Sequence, residues 1–174
     1  LFKCYNKKVK ETFKKSILVT GAATGIGAST VKKISSKNVS LTLTTKSNIN
    51  KLKEVADYAK SNGAIVNTIL GDLSKKNFVK ELIKLAKKET GKIDQFVSNA
   101  GYASKRNFGE FKSNDLENDL KSMAISFSEI VNLCLEDFKN SNCGRIISVS
   151  SFVNKNIGIN DNIFPTTAAA KSAL

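Results

Sequence analysis

The sequence predicts an α/β fold of the Rossmann type, a doubly wound parallel sheet. Three observations predict it. Short β-branched or apolar runs alternate with stretches of helical spacing, the pattern of βαβ units. A glycine-rich turn joins the first strand to the first helix. At 174 residues and 41% hydrophobic content, the chain can bury one substantial core, and no composition shift marks a second domain.

"SILVT" (16–20) is a short apolar run bounded by glycine and reads as a buried strand. "GIGASTVKKISSK" follows with helical spacing through Ile26, Val31 and Ile34. "VSLTLTT" (39–45) is a β-branched strand. Asn48 and Asn50 turn the chain after it. "NKLKEVADYAKSN" sets Leu52, Val55, Ala56 and Ala59 on one helix face, with Gly63 as the stop. "AIVNTIL" (64–70) is a third strand. The next helix has Ser74 as its expected N-cap and Gly91 as its stop. A fourth strand runs over 93–98, a long helix over about 115–139, and a fifth strand, "GRIISVSS", begins at Gly144. A polar loop is expected from Asn154 to Phe164, before Pro165 and Thr166 open a last helix.

Lys and Arg number 28 against 15 Asp and Glu, a formal net charge of +13. The lysines are scattered, arginine occurs only at 106 and 145, and aromatics do not interleave with the basic residues. That argues for a solvated basic surface and no nucleic-acid partner. No apolar run reaches membrane-spanning length, so no membrane partner is expected. The cysteines (Cys4, Cys134, Cys143) are odd in number, form no C-x-x-C and have no histidine beside them. A zinc site is thereby disfavoured, and a reducing, cytoplasmic compartment fits. The first 15 residues form a basic N-terminal extension without the apolar stretch of a signal peptide. The dinucleotide-binding unit is read as 16–174. A start at Leu1 and a stop inside a helical pattern give the expectation of a C-terminally incomplete domain.

"TGAATGIG" (20–27) carries Gly21, Gly25 and Gly27 in G-x-x-x-G-x-G spacing between strand and helix. Glycine allows the tight turn and a close backbone approach. The helix N-terminus offers free N–H groups and the positive end of its dipole to a pyrophosphate. This turn resembles the cofactor turn of the short-chain dehydrogenase/reductases, which would put Gly21, Thr24, Gly25, Ile26 and Gly27 on the cofactor. Three more pieces match that family in order. "GDL" (71–73) resembles the segment after strand three, implying Asp72 and Leu73 near the adenine. "SNAG" (98–101) resembles N-N-A-G, with Asn99, Ala100 and Gly101 matching. "GRIISVSS" resembles the fifth strand, whose last serine, here Ser151, orients the substrate oxygen. Lys171 matches the lysine of Y-x-x-x-K, which holds the ribose and lowers the tyrosine pKa.

The resemblance implies an NAD(P)-dependent oxidoreductase moving hydride between nicotinamide and a small carbonyl or alcohol substrate, and a homo-oligomer in the full-length form. No acidic residue ends strand two, where one would favour NAD. Lys46 stands there instead and can meet a 2′-phosphate as a point charge, so NADP is expected, with NAD possible.

The chain departs from the family at three places. Thr167 replaces the tyrosine, and an aliphatic hydroxyl does not ionise usefully. The position of the active-site asparagine falls near Met123, and Asn132 lies turns away. Asn154 stands where many members have glycine. Three readings stay open: a branch with another proton carrier, a dinucleotide-binding module without redox chemistry, and an interaction or structural module. For the first, Tyr102, following Asn-Ala-Gly at the end of strand four, joins Ser151 and Lys171 as a candidate catalytic residue.

Overall fold

A computed structural model describes residues 15–159 and 162–174. Most of the expected basic N-terminal extension, with Cys4, lies outside the described residues. The elements run β1 (Lys15–Thr20), α1 (Gly25–Ile34), β2 (Val39–Thr45), α2 (Ile49–Ser61), β3 (Ile65–Leu70), α3 (Lys76–Ala86) and β4 (Gln95–Ser98). Then come α4 (Ser113–Leu120), a π-helical turn (Lys121–Ile125), α5 (Ser126–Lys139), β5 (Arg145–Ser148), a 3₁₀ turn (Phe152–Asn154), a small hairpin of β6 (Gly158–Ile159) and β7 (Asn162–Ile163), and α6 (Pro165–Ala173).

The five main strands form one sheet in the order β3-β2-β1-β4-β5, and every pairing is parallel, as expected. Alternation along β1 divides the core between the two faces. Ile17 and Val19 pack with Val31, Leu41, Leu43, Leu52 and Val55, the layer of α1 and α2. Leu18 points the other way, into Val79, Leu82, Ile83, Phe96, Ile130 and Phe138, the layer of α3 and α5. Helices on both faces explain why the central strand "SILVT" reads as a continuous apolar run. The order reverses between β1 and β4, which opens a crevice at the carboxyl ends of the strands.

The opposite end of the sheet is fastened by a buried carboxylate. Asp94 Oδ2 accepts the Ser16 N–H at 2.8 Å, and Oδ1 accepts the Ser141 hydroxyl at 2.5 Å and pairs with Lys92 Nζ at 2.8 Å.

Local chemistry shifts several boundaries. α3 starts at Lys76 with Lys75 in the cap position, not Ser74. The Asp72 side chain accepts the Ser74 N–H at 2.9 Å and keeps the chain in a turn for two more residues. Of the two asparagines read as turn residues, Asn48 is the N-cap of α2, its Oδ1 accepting the Lys51 N–H at 3.3 Å, and Asn50 lies inside that helix. The single long helix is interrupted by the π-helical turn, where Ser126 Oγ donates to the Ser122 carbonyl at 2.8 Å. The stretch read as a polar loop, Asn154 to Phe164, instead carries the small hairpin, and a 3₁₀ turn ends at its first residue. Pro165 opens α6 at its first turn.

Candidate active site

A cavity of about 700 Å³ occupies the crevice above the β1–β4 junction. Its floor is the glycine turn, locked to β4 by two side chains. The Thr20 hydroxyl accepts the N–H groups of Asn99 and Ala100, both at 3.2 Å, and donates to the Val97 carbonyl at 3.4 Å. Asn99 Nδ2 donates to the carbonyls of Gly21 at 2.9 Å and Thr20 at 3.3 Å. This closeness is why glycine is required at 21: φ is +64°, and a Cβ there would stand 2.8 Å from Ala100 Cα. At Gly25 φ is +55°, and a Cβ would meet nothing within 4 Å. The first turn of α1 therefore opens onto free space. Gly27 has the opposite reason, since its Cβ would lie 2.2 Å from the Gly21 carbonyl oxygen.

At the β2–β3 end of the cavity, Lys46 Nζ pairs with Asp72 Oδ2 at 2.9 Å. Burial pushes the Asp72 carboxyl up, but Lys46 and the Ser74 N–H outweigh it and hold it below the usual carboxylate value. Beside them Thr44 lines the wall with a buried Oγ1 that has no hydrogen-bond partner.

At the other end stand Ser151, Thr167 and Lys171. Ser151 caps the 3₁₀ turn: its Oγ accepts the Val153 N–H at 3.4 Å, which leaves its proton to donate. Thr167 is engaged on both sides, accepting the Ser104 N–H at 3.0 Å and donating to the Tyr102 carbonyl at 3.4 Å. Lys171 is 8% exposed, and its Nζ donates to the Val149 carbonyl at 2.9 Å. Burial lowers its pKa from the ordinary lysine value.

Tyr102 lies on the wall between the two ends. Its phenol stands by Asp119 and Ser122, and partial burial together with the Asp119 carboxylate pushes it up to about 12. A proton carrier near neutral pH needs the opposite shift. Met123 lies on the π-helical turn, 1% exposed, with Sδ 3.6 Å from where a Gly101 Cβ would be. A thioether fills the place where the resemblance would put an asparagine. Asn132 is on α5, and Asn154 Nδ2 donates to Ser150 Oγ at 3.2 Å.

The cavity thus brings together Gly21, Thr24, Gly25, Ile26, Lys46, Asp72, Leu73, Asn99, Ala100, Gly101, Tyr102, Ser151 and Lys171. Gly27 lies beneath the turn rather than on the wall. Four contributors went unassigned in the sequence: the Thr20 clip, the Thr44 hydroxyl, Ser122 and Asp119. Thr20 opens the quoted glycine motif, and Asp119 and Ser122 are three apart on one helical face, a signal that sequence spacing does carry.

Among the described residues, no group of three or more metal-binding side chains exists, and no helix is long and apolar enough to cross a membrane.

The chain is 28% identical over 159 residues to an uncharacterised oxidoreductase of Staphylococcus saprophyticus, covering 90% of this chain and 67% of that protein. Its fold superposes on a short-chain dehydrogenase from Burkholderia cenocepacia in complex with NADP at a TM-score of 0.82, with 21% identity, 94% of this chain and 65% of the other. It is also similar to the angucycline C-6 ketoreductase LanV with bound NADP, at a TM-score of 0.81 and 25% identity, over 94% of this chain and 64% of that one. The chain spans between about half and two thirds of the length of the curated relatives it matches. The short chain dehydrogenase family model matches residues 15–174, from the first strand through the lysine at the far end of the cavity, and the chain belongs to that family.

Proposed function

We propose that this chain provides the dinucleotide site and part of the active site of an NADP(H)-dependent oxidoreductase acting on a small carbonyl or alcohol substrate. The observation that carries this reading is the continuity of one cavity from Lys46 to Lys171, past the opened first turn of α1. The residues fit a dinucleotide phosphate. Gly25 leaves free space before a helix N-terminus, which suits a pyrophosphate. Thr44 has an unused hydroxyl at the β2 end, where Lys46 supplies a cation and no side chain of β2 supplies an anion. NADP is the preferred cofactor on this ground, with NAD as the alternative. When bound, the nicotinamide supplies the hydride chemistry. The chain's own residues bind, orient and exchange the proton: Ser151 Oγ–H directs the substrate oxygen, and Lys171 provides the buried cation.

The proposal extends to a reducing, cytoplasmic setting, supported by the free thiols of Cys134 and Cys143, and to a homo-oligomer in the full-length protein. A dinucleotide-binding module without redox chemistry is the second reading. It is favoured by Thr167, whose hydroxyl is held by backbone groups. NADPH fluorescence titration followed by a panel of ketones and aldehydes tests both. Binding with turnover supports the oxidoreductase, binding without turnover supports the module, and absence of binding removes both.

A further inference from the structure

We propose that Lys171 Nζ, and not a hydroxyl group, is the site that exchanges the proton with the substrate oxygen in this chain. The inference rests on the oxidoreductase reading and assigns the role that Thr167 leaves vacant.

Among the described residues, the ionisable side chains on the cavity wall are Lys46, Asp72, Tyr102 and Lys171. Lys46 and Asp72 pair with each other at 2.9 Å at the β2–β3 end. The Tyr102 phenol faces Asp119, and an adjacent carboxylate opposes formation of a phenolate. Ser151 and Thr167 have aliphatic hydroxyls, which stay protonated at working pH. Lys171 remains.

Its surroundings suit the task. An ammonium has three N–H donors, and one of them is directed to the Val149 carbonyl. The space over the amine is kept clear by a glycine, since a Cβ on Gly101 would lie 3.0 Å from Nζ. Among the described residues, the elements packed most closely on α6 are α4, the π-helical turn and the 3₁₀ turn. On α4, Asp115 pairs with Arg106, Glu117 pairs with Lys121 of the π-helical turn at 2.7 Å, and Asp119 stands by Tyr102. The 3₁₀ turn, Phe152–Asn154, carries no charge. Among the described residues, no carboxylate thus holds the ammonium in its charged form, and burial lowers its pKa. A buried lysine of that kind exchanges protons more readily than a surface one.

In the reducing direction, one Nζ–H bond breaks and an O–H bond forms on the substrate oxygen as a nicotinamide hydride donor reduces the carbonyl carbon. Lys171 is left as a neutral amine and regains a proton from water. Alcohol oxidation runs the reverse and needs the neutral amine first. Carbonyl reduction should therefore fall, and alcohol oxidation rise, as pH increases through the Lys171 pKa.

The test has two parts, both on the full chain. In the first, Lys171→Arg and Lys171→Gln are compared for kcat, KM and NADPH affinity. Arginine keeps the charge but does not release its proton. Expected is a loss of kcat of at least about a hundredfold in both variants, within the range for a missing general acid. Arginine that restores kcat to within a few-fold, shifting only KM, would mean a purely electrostatic or positioning role and overturn the proposal. Loss of kcat in Tyr102→Phe with Lys171→Gln retaining it would overturn it too.

The second part needs no turnover and holds even if a variant misfolds. The unmodified chain is treated with propanal and cyanoborohydride across a pH series, and the alkylated lysines are located by mass spectrometry. Lys171 should be alkylated with a midpoint below the ordinary lysine value of about 10.4 and be protected by NADPH. A Lys171 that stays unmodified, or that titrates at the ordinary value, sinks the assignment. A chain that binds NADPH, shows a low-midpoint Lys171 and reduces no carbonyl removes the oxidoreductase reading, and the catalytic role with it.

Discussion

The Thr167 hydroxyl and the backbone N–H of Ser104, 63 residues apart in sequence, meet at 3.0 Å and tie α6 to the loop after β4. The residue in the tyrosine position is thus a structural fastener. Thr167→Val keeps the shape and removes the acceptor, which leaves the half-buried Ser104 N–H without its side-chain partner. The expected cost is about 1–2 kcal/mol of stability, read by urea denaturation. Any redox activity should change by less than about tenfold. A larger loss of kcat at unchanged stability would show Thr167 in the chemistry.

Gly25 offers a separation of binding from folding. Its φ of +55° disfavours a side chain, at about 1–2 kcal/mol, yet a Cβ meets nothing within 4 Å. Gly25→Val should stay folded by circular dichroism and bind NADPH at least about tenfold more weakly, a difference of about 1.4 kcal/mol. Equal affinity in the two proteins would remove the glycine turn as the cofactor site.

Lys46 sets the expected preference between the two nicotinamide cofactors. Lys46→Asp replaces a cation on the wall at the β2 end with an anion beside Asp72. The NADPH-to-NADH affinity ratio should fall by about tenfold or more, equivalent to at least 1.4 kcal/mol. An unchanged ratio clears Lys46 of any part in the choice.

Asp94 makes a pH prediction at the far end of the sheet. Burial pushes its carboxyl up, but Lys92, the Ser141 hydroxyl and the Ser16 N–H outweigh this and hold it below the ordinary carboxylate value. The folded value is lower than the unfolded one, so the contribution to stability is present above about pH 3.9 and is lost as pH falls through the folded pKa. Asp94→Asn should lower stability by about 2 kcal/mol at pH 7. The gap between variant and wild type should close as pH falls below about 3.9 in chemical denaturation. A gap independent of pH would mean that the loss is one of packing.

Much of the framework was legible because it is periodic. β1 and β2 are buried along nearly their whole length, so "SILVT" reads as one apolar run and "VSLTLTT" as a β-branched strand, and the glycine turn announced the crevice by spacing alone. The π-helical turn was not legible. Its bulge follows from side chain–backbone bonds at Ser122 and Ser126, which compete with the regular helix ladder without altering its apolar pattern. Ser74 is not the helix cap: its N–H is held in a turn by Asp72, two residues earlier, and the helix begins at Lys76. At the site, Lys46 and Asp72 were each assigned to a ligand, but their pairing is a contact between strand ends that spacing along the chain does not encode. The turning of the Tyr102 phenol toward Asp119 belongs to the same class of long-range contact.

The Thr20 and Asn99 hydrogen bonds decide where this crevice can breathe. They join β1 to β4 across 78 to 80 residues of chain, and both strands are held again at the other end through Asp94. A pair of strands clamped at both ends opens only with the whole sheet. Amides of Asn99 and Ala100 should therefore exchange with solvent at the slow, global rate. Widening to admit or release a ligand has to come from the other walls: the loop after β4, the 3₁₀ turn and α6. The bonds of Thr167 to the Ser104 N–H and the Tyr102 carbonyl are the stitches that such a movement would strain first. The substitution that took away a phenol thus also put a seam along the mobile side of the pocket, and ligand exchange rates should be sensitive to it even where equilibrium affinity is not.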